Sequence, residues 1–350
     1  MSAKRCIPAI VDTRAPAHVP LTAVIRGEAI ESLHYGSVAV VDGDGRLLHS
    51  AGDPQSITFT RSALKPLQAL SFVRDDGPAR YGYSQAQIAL LCASHSGEPR
   101  HVAAVSDMLA RAGNEAADLG CGTHAPGYFD VRGEVPPPPP YSALAHNCSG
   151  KHAGMLACCA MHGWRKSDYL AIDHPLQQTI RGAVARFAGV AEASLVAGID
   201  GCSAPNYAMP LTSLARAFAR LAVASADDPD FGAAPRTLRE AMIAHPEMVS
   251  GEGRSDIVLA QAGRGDWVPK IGAEGVQAIG VSSRGLGIAI KVADGHKRGL
   301  HPATVAVLDQ LGLLDDAGRR ALAPLGEPAL RNYRGMATGR VRPVVVLDRA

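Results

Sequence analysis

The chain is short of lysine. Of its 35 basic residues only 7 are Lys and 28 are Arg. Arginine keeps its proton throughout the physiological range, whereas a buried lysine can lose one. Where positive charge alone is wanted this composition uses Arg, so the lysines inside motif-like segments, Lys65, Lys151 and Lys270, gain weight as chemical groups. An excess of one charge sign is also missing: 35 basic against 33 acidic residues leave a formal net charge of +2, with no dense Lys/Arg run. That removes the electrostatic case for nucleic acid or an anionic membrane as a partner. No apolar stretch approaches the roughly 18–20 residues needed to span a bilayer. The segment from Met1 to Val11 carries Lys4 and Arg5 with no apolar run behind them, so no secretory signal is legible. No cysteine pair has Cys-x-x-Cys spacing, which excludes a thioredoxin motif and a zinc ribbon. The cysteines present (Cys6, Cys92, Cys121, Cys148, Cys158, Cys159 and Cys202) are odd in number. Without a signal they predict reduced thiols and a cytoplasmic protein.

What is present is a globular composition. With 350 residues, 47% hydrophobic and 19% charged, the chain can bury a large core as one domain or two intimate subdomains. Val38 to Val41, the turn Asp42-Gly43-Asp44-Gly45, and Arg46 to His49 read as a β-hairpin. A helix starts near Ser62, and Pro66 is tolerable there because it lies close to the first turn. Ser84 to Cys92 and the amphipathic His101 to Ala112 follow as helices. Gly120 to Ser149, with five prolines at 136–140, is extended and loop-rich, and marks a subdomain boundary. Helices are expected over Lys151 to Gly163, Pro175 to Ala188, Thr212 to Ala226 and Ala234 to His245. Strand periodicity returns from Trp267: Val276 to Val281, Gly287 to Val292 and Val341 to Leu347, with a helix near Pro302 to Leu313. The expected fold class is therefore mixed α/β (α+β). An antiparallel sheet closed by early and late strands (about 24–135 and 267–350) is flanked by helices, with a helical lobe inserted at about 150–250.

Several segments are dense in reactive groups. Ser62 and Lys65 share a helix face, so a desolvated, neutral amine could take the serine proton and create a nucleophile. The spacing is not specific by itself: with 22 serines and 7 lysines in 350 residues, chance gives about 0.4 such pairs. Cys92-Ala93-Ser94-His95-Ser96-Gly97 and Lys270-Ile271-Gly272 complete an ordered series. It matches incompletely the Ser-x-x-Lys, Ser-Asp-Asn and Lys-Thr-Gly set of penicillin-binding proteins. His95-Ser96 replaces Asp-Asn and Ile271 replaces Thr, so a β-lactam substrate fits poorly. Taken singly, the Ser94 segment also reads as a polar turn and Lys270 as a solvated strand end. Cys148 and Cys202 each lie in a polar turn. They read either as buried structural thiols or as ligands converging on one metal ion with Lys151 or His152. Cys158-Cys159 lies in a helical pattern and reads as core.

Six segments together resemble the asparaginase II family, the rhizobial-type, class 3 L-asparaginases. They are Glu31-Ser32-Leu33-His34-Tyr35-Gly36, Phe59-Thr60-Arg61-Ser62-Ala63-Leu64-Lys65-Pro66, Ala93-Ser94-His95-Ser96-Gly97-Glu98, Asn147-Cys148-Ser149-Gly150-Lys151-His152-Ala153-Gly154-Met155, Gly198-Ile199-Asp200-Gly201-Cys202-Ser203-Ala204-Pro205 and Lys270-Ile271-Gly272-Ala273-Glu274-Gly275. The resemblance runs from about Val24 to the C-terminus. It implies hydrolysis of L-asparagine to L-aspartate and ammonia, a fold similar to serine β-lactamases and glutaminases, and a homodimer. It implies two Ser-Lys tandems, Ser62 with Lys65 and Ser94 with Lys270, and a zinc (Zn2+) site of Cys148, Lys151 and Cys202. Arg61, His95 and Asp200 are the expected substrate contacts, with Ser62 preferred as the attacking hydroxyl. Two other readings stay open: a zinc-assisted or other Ser-Lys amidohydrolase of glutaminase or β-lactamase type, and a catalytically silent amino-acid-binding protein.

Overall fold

The computed structural model of the chain describes residues 15–350, so Lys4, Arg5, Cys6 and the expectation about the leader lie outside the described residues. Among the described residues, twelve strands form two antiparallel sheets. They are β1 (Val19–Arg26), β2 (Ala29–Val41), β3 (Leu47–Ala51), β4 (Ile57–Phe59), β5 (Val196–Ile199), β6 (Pro205–Pro210), β7 (Trp267–Gly272), β8 (Val276–Val281), β9 (Leu286–Val292), β10 (Ala329–Arg331), β11 (Ala337–Pro343) and β12 (Asp348–Arg349). The large sheet runs β10-β11-β1-β2-β9-β8-β7, with β3 and β12 paired beside β2, and the small one runs β4-β6-β5. Early strands therefore lie between late ones, as the sequence pattern predicts.

Period-2 alternation builds two cores on the two faces of the large sheet. Val38 and Val40 point towards one face, with Ile288 and Ile290, under the helix Lys297–Gln310. Ala39 and Val41 point to the other, with Ala278 and Ala289, under the helical lobe. The helix Leu211–Ala222 lies directly on that second face. Its approach needs the cross-strand pair Gly280 and Gly287: a Cβ would sit 2.4 Å from Phe218 O at the first and 1.8 Å from Ala215 O at the second. The hairpin of β2 and β3 turns on Asp42, whose Oδ1 accepts the Asp44 and Arg46 N–H groups at 3.1 and 2.9 Å.

Two boundaries differ from the sequence reading. The helix expected from Pro302 begins at Lys297, because His296 caps it by accepting the Arg298 N–H on Nδ1 at 3.0 Å, which leaves Pro302 inside. The strand expected over Val341–Leu347 is β11, ending at Pro343, which has no N–H for the ladder. Beyond it both Val344 and Val345 donate to Leu21 O, at 2.9 and 3.1 Å, so the chain bulges off the ladder. The helix Asp316–Gly326 is an addition the sequence reading lacked. Among the described residues no helix is long and apolar enough to cross a membrane, and Cys92, Cys121, Cys148, Cys158, Cys159 and Cys202 are all free thiols.

Candidate active site

The site forms where five segments meet, each positioned by local chemistry. After β4 the chain enters a 3-10 turn, Arg61–Leu64, that continues directly into the helix Lys65–Arg74. Arg61 begins it in the left-handed region at φ 48°, a conformation that costs a non-glycine residue about 1–3 kcal/mol. Asn206 on β6 holds it there: its Oδ1 accepts the Arg61 N–H at 3.0 Å and its Nδ2 donates to Arg61 O at 3.0 Å. The turn leaves Ser62 half-buried while Lys65, one turn on, is enclosed. Ser94 follows the helix Gln85–Leu91, which starts at a reciprocal Ser84/Gln87 capping box. The Ser94 N–H donates to Val249 O at 2.8 Å and fixes the loop. Lys270 comes from β7, an edge strand that approaches the start of the Ser62 helix so closely that a Cβ on Gly272 would lie 2.6 Å from Thr60 O. The glycine of Lys270-x-Gly272 is therefore a requirement of close approach.

Both buried lysines converge on one hydroxyl. Ser94 Oγ accepts from Lys65 Nζ at 3.0 Å and from Lys270 Nζ at 3.0 Å. Lys65 also donates to Ala93 O and, at 3.5 Å, to Asn147 O. Lys270 also donates to Ile271 O at 2.9 Å and to Asp256 Oδ2 at 3.4 Å. The pairing of Ser62 with Lys65 expected from spacing is thus not a hydrogen bond here. All three Lys65 protons point elsewhere, and among the described residues nothing bonds the Ser62 hydroxyl. Ser94 with Lys270 is in contact, but Lys65 shares it. Burial pushes the Lys270 amine down to about 8, against the Asp256 carboxylate and with the help of the Lys65 and Arg254 charges.

The second cluster lies beside the first. Cys148 immediately precedes the helix Ser149–His162, Lys151 lies in its first turn, and Cys202 sits in the turn between β5 and β6. All three are buried, and Lys151 Nζ donates to Cys202 Sγ at 3.0 Å. A hydrogen bond from Cys202, with the Lys65 and Lys151 charges overcoming burial, holds the Cys148 thiol well below its ordinary value. Burial favours a neutral Lys151, but the Cys202 and Cys148 sulfurs outweigh it and raise its proton affinity. His152 Nε2 is buried without a hydrogen-bond partner. Among the described residues no three His, Cys, Asp or Glu side chains are grouped to hold a metal; a set of two thiols and an amine is a different donor class.

Asp200 joins the clusters. Its Oδ1 pairs with Arg61 Nε and Nη2 at 2.9 and 2.8 Å. Burial would raise its carboxyl, but Lys151 and Arg61 hold it below the ordinary value. Arg61, Asp200, Asn206, Glu274 and Phe59 line an open depression of about 400 Å3 on this side. His95 behaves differently from the expected substrate contact. Its Nδ1 accepts the Gly97 N–H at 3.1 Å, so Nε2 carries the proton and donates to Ser149 Oγ at 2.9 Å, which in turn donates to Leu144 O at 2.8 Å. Both ring nitrogens are spent on pinning the Ser94 loop to the helix Ser149–His162, leaving none for a ligand. Burial, then His101, puts its pKa well below the ordinary histidine value. Asn206 and Asp256 are the site residues that sequence reasoning missed. Neither stands in a motif, and each acts on a backbone distant in sequence.

The family model for L-asparaginase II matches residues 22–343. The chain belongs to the L-asparaginase II family. Membership makes it a hydrolase acting on amides, which agrees with a buried Ser-Lys-Lys cluster. No curated protein matches this family member. Among solved structures, a Bacteroides dorei protein described as a candidate β-lactamase aligns at 13% identity over 79% of this chain and 93% of its own, with a TM-score of 0.40. A Mycobacterium bovis β-lactamase aligns at 14% identity over 79% and 94%, with a TM-score of 0.38. Mglu, in its native form, aligns at 15% identity over 80% and 62%, with a TM-score of 0.37.

Proposed function

We propose that this asparaginase II family member hydrolyses L-asparagine to L-aspartate and ammonia, with Ser62 as the attacking hydroxyl. The observation that carries this reading is the chain Lys65–Ser94–Lys270, in which one buried hydroxyl sits 3.0 Å from each amine and Lys65 itself follows the half-buried Ser62 by one helical turn. Ser94 is enclosed and claimed by two amines; Ser62 is accessible and unclaimed. With Lys270 neutral, the Ser94 proton moves to Lys270 and a Lys65 proton moves to Ser94. Lys65, now neutral, takes the Ser62 proton as Oγ attacks the carboxamide carbon. Among the described residues the Arg61 and Ala63 N–H groups are already held, by Asn206 Oδ1 and Thr60 O, so the Ser62 N–H is the first-turn donor left for the developing oxyanion charge. Reversing the relay returns the proton to the departing ammonia. The same groups then activate water to cleave the aspartyl ester.

The donor chemistry of Cys148, Lys151 and Cys202 fits a zinc ion, with two thiols and an amine gathered and buried, and the His152 Nε2 N–H or lone pair unspent beside them. Bound there, zinc would supply a Lewis-acidic centre for the amino-acid head group of asparagine. Arg61 and Asp200, an ion pair lining the open depression, would take its carboxylate and its amine respectively. The resemblance also implies a homodimer, which light scattering tests, and the free thiols suit a reducing cytoplasm. The deciding experiment is ammonia and aspartate release from L-asparagine by the purified protein, with glutamine as the competing substrate. Release of neither product from asparagine, in a folded preparation containing zinc, overturns the proposal.

A further inference from the structure

Asp256 is a carboxylate with 2% exposure, set in the first turn of the helix Ser255–Ala262. Its Oδ2 accepts the Ile271 N–H at 3.0 Å and Lys270 Nζ at 3.4 Å, and its Oδ1 accepts Gln277 Nε2 at 3.4 Å. One side chain therefore grips the backbone of β7, the amine carried by that strand, and a side chain of the neighbouring β8. A buried charge needs such partners, because leaving it unpaired is strongly destabilising. The groups facing Lys270 are Lys65 from the Ser62 helix, Arg254 from the segment before Ser255, the Cys92 thiol and Asp256 itself. His301, from the helix Lys297–Gln310, lies close enough to feel the Asp256 charge. Among these described neighbours Asp256 is the one carboxylate, set against two cations.

We propose that Asp256 is the positioning residue that holds Lys270 against Ser94 and sets the pH at which Lys270 releases its proton. This rests on the reading of Lys270 as the end of the proton relay, and it deepens that reading. A carboxylate on the far side of the amine aims one N–H of Lys270 away from Ser94 and keeps the nitrogen within reach of the hydroxyl. It also offsets the repulsion from Lys65 and Arg254. Without it the amine would be neutral at lower pH and free to swing.

The test uses the shortage of lysine. In protein labelled with [ε-13C]lysine there are 7 lysines to resolve, and Lys270 is assigned by its loss in Lys270→Arg. Asp256→Asn should lower the Lys270 titration midpoint by about 1–3 units, the usual effect of one adjacent opposite charge. It should move the acid limb of kcat/KM the same way and reduce kcat more than it changes KM. Asp256→Glu should restore the midpoint in part. Gln277→Met, which leaves the carboxylate to Lys270, should move the midpoint upward; this variant stands in if Asp256→Asn does not fold. A merely structural role would lower thermal stability and leave the Lys270 midpoint in place, and that result overturns the proposal. If the Lys270 resonance shifts as expected while kcat/KM shows no limb at its midpoint, the proposal on Asp256 holds and the relay reading falls.

Discussion

Lys270 and Lys151 are both enclosed, and burial pushes both towards the neutral amine, yet they end on opposite sides of the ordinary lysine value. Around Lys270 stand two cations and one carboxylate, and the amine drops to about 8. Around Lys151 stand the Cys202 and Cys148 sulfurs and Asp200, and the proton is held more tightly. Enclosure is common to the two, so the charge of the neighbours sets the sign. The first arrangement suits a group that must release a proton during turnover. The second suits a niche that holds a cation, a proton in the bare protein and zinc in the proposed enzyme. Lys65 connects them, touching Ser94 in one cluster and Asn147 O, next to Cys148, in the other.

The sharpest way to break this contrast is to remove the group both clusters serve. Ser62→Ala should abolish asparagine hydrolysis by several decades with circular dichroism unchanged. Activity within about tenfold of wild type would transfer the attack to Ser94 or to water. Next, Lys65→Arg and Lys270→Arg should each cost about 10²–10⁴-fold in kcat, because they keep charge and lose proton exchange. If both variants stay active, the amines act by charge alone and the relay is wrong. The thiol cluster should respond in another currency. Cys148→Ser or Cys202→Ser should release zinc, read by elemental analysis of the purified protein, and raise KM at least as much as they lower kcat. A pure kcat loss at unchanged KM would put the metal on the scissile amide. The smallest effect is pH dependence. Lys270 is lowered to about 8, so its neutral form grows as pH rises through that value, and kcat/KM should climb across roughly pH 7–9 and level off above it. A rate that falls over the same interval would mean that the protonated amine is the working form.

Much was legible from residue order. The apolar pattern of Val38–Val41, Val276–Val281 and Gly287–Val292 marks strands whatever their partners, because burial on both faces leaves predominantly apolar runs. The scarcity of lysine singled out Lys65, Lys151 and Lys270, and all three are buried in the two clusters. Local spacing misled where it stood in for distance. Ser62 and Lys65 share a helix face, yet the amine turns to Ser94, 29 positions on, because Ala93 O and Asn147 O complete its donor set there. The family resemblance put His95 among the substrate contacts, and the folded chain spends both its nitrogens on the scaffold.

By itself the sequence determined the fold class, the family and which residue types could carry proton transfer and thiol chemistry, since these follow from composition, periodicity and motif. Only the tertiary structure decided which amine meets which hydroxyl, that Asn206 clamps the turn before Ser62, and that Asp256 stands behind Lys270. Proton affinities are set by charges a few ångströms away in space, and those neighbours come from segments tens to hundreds of residues apart.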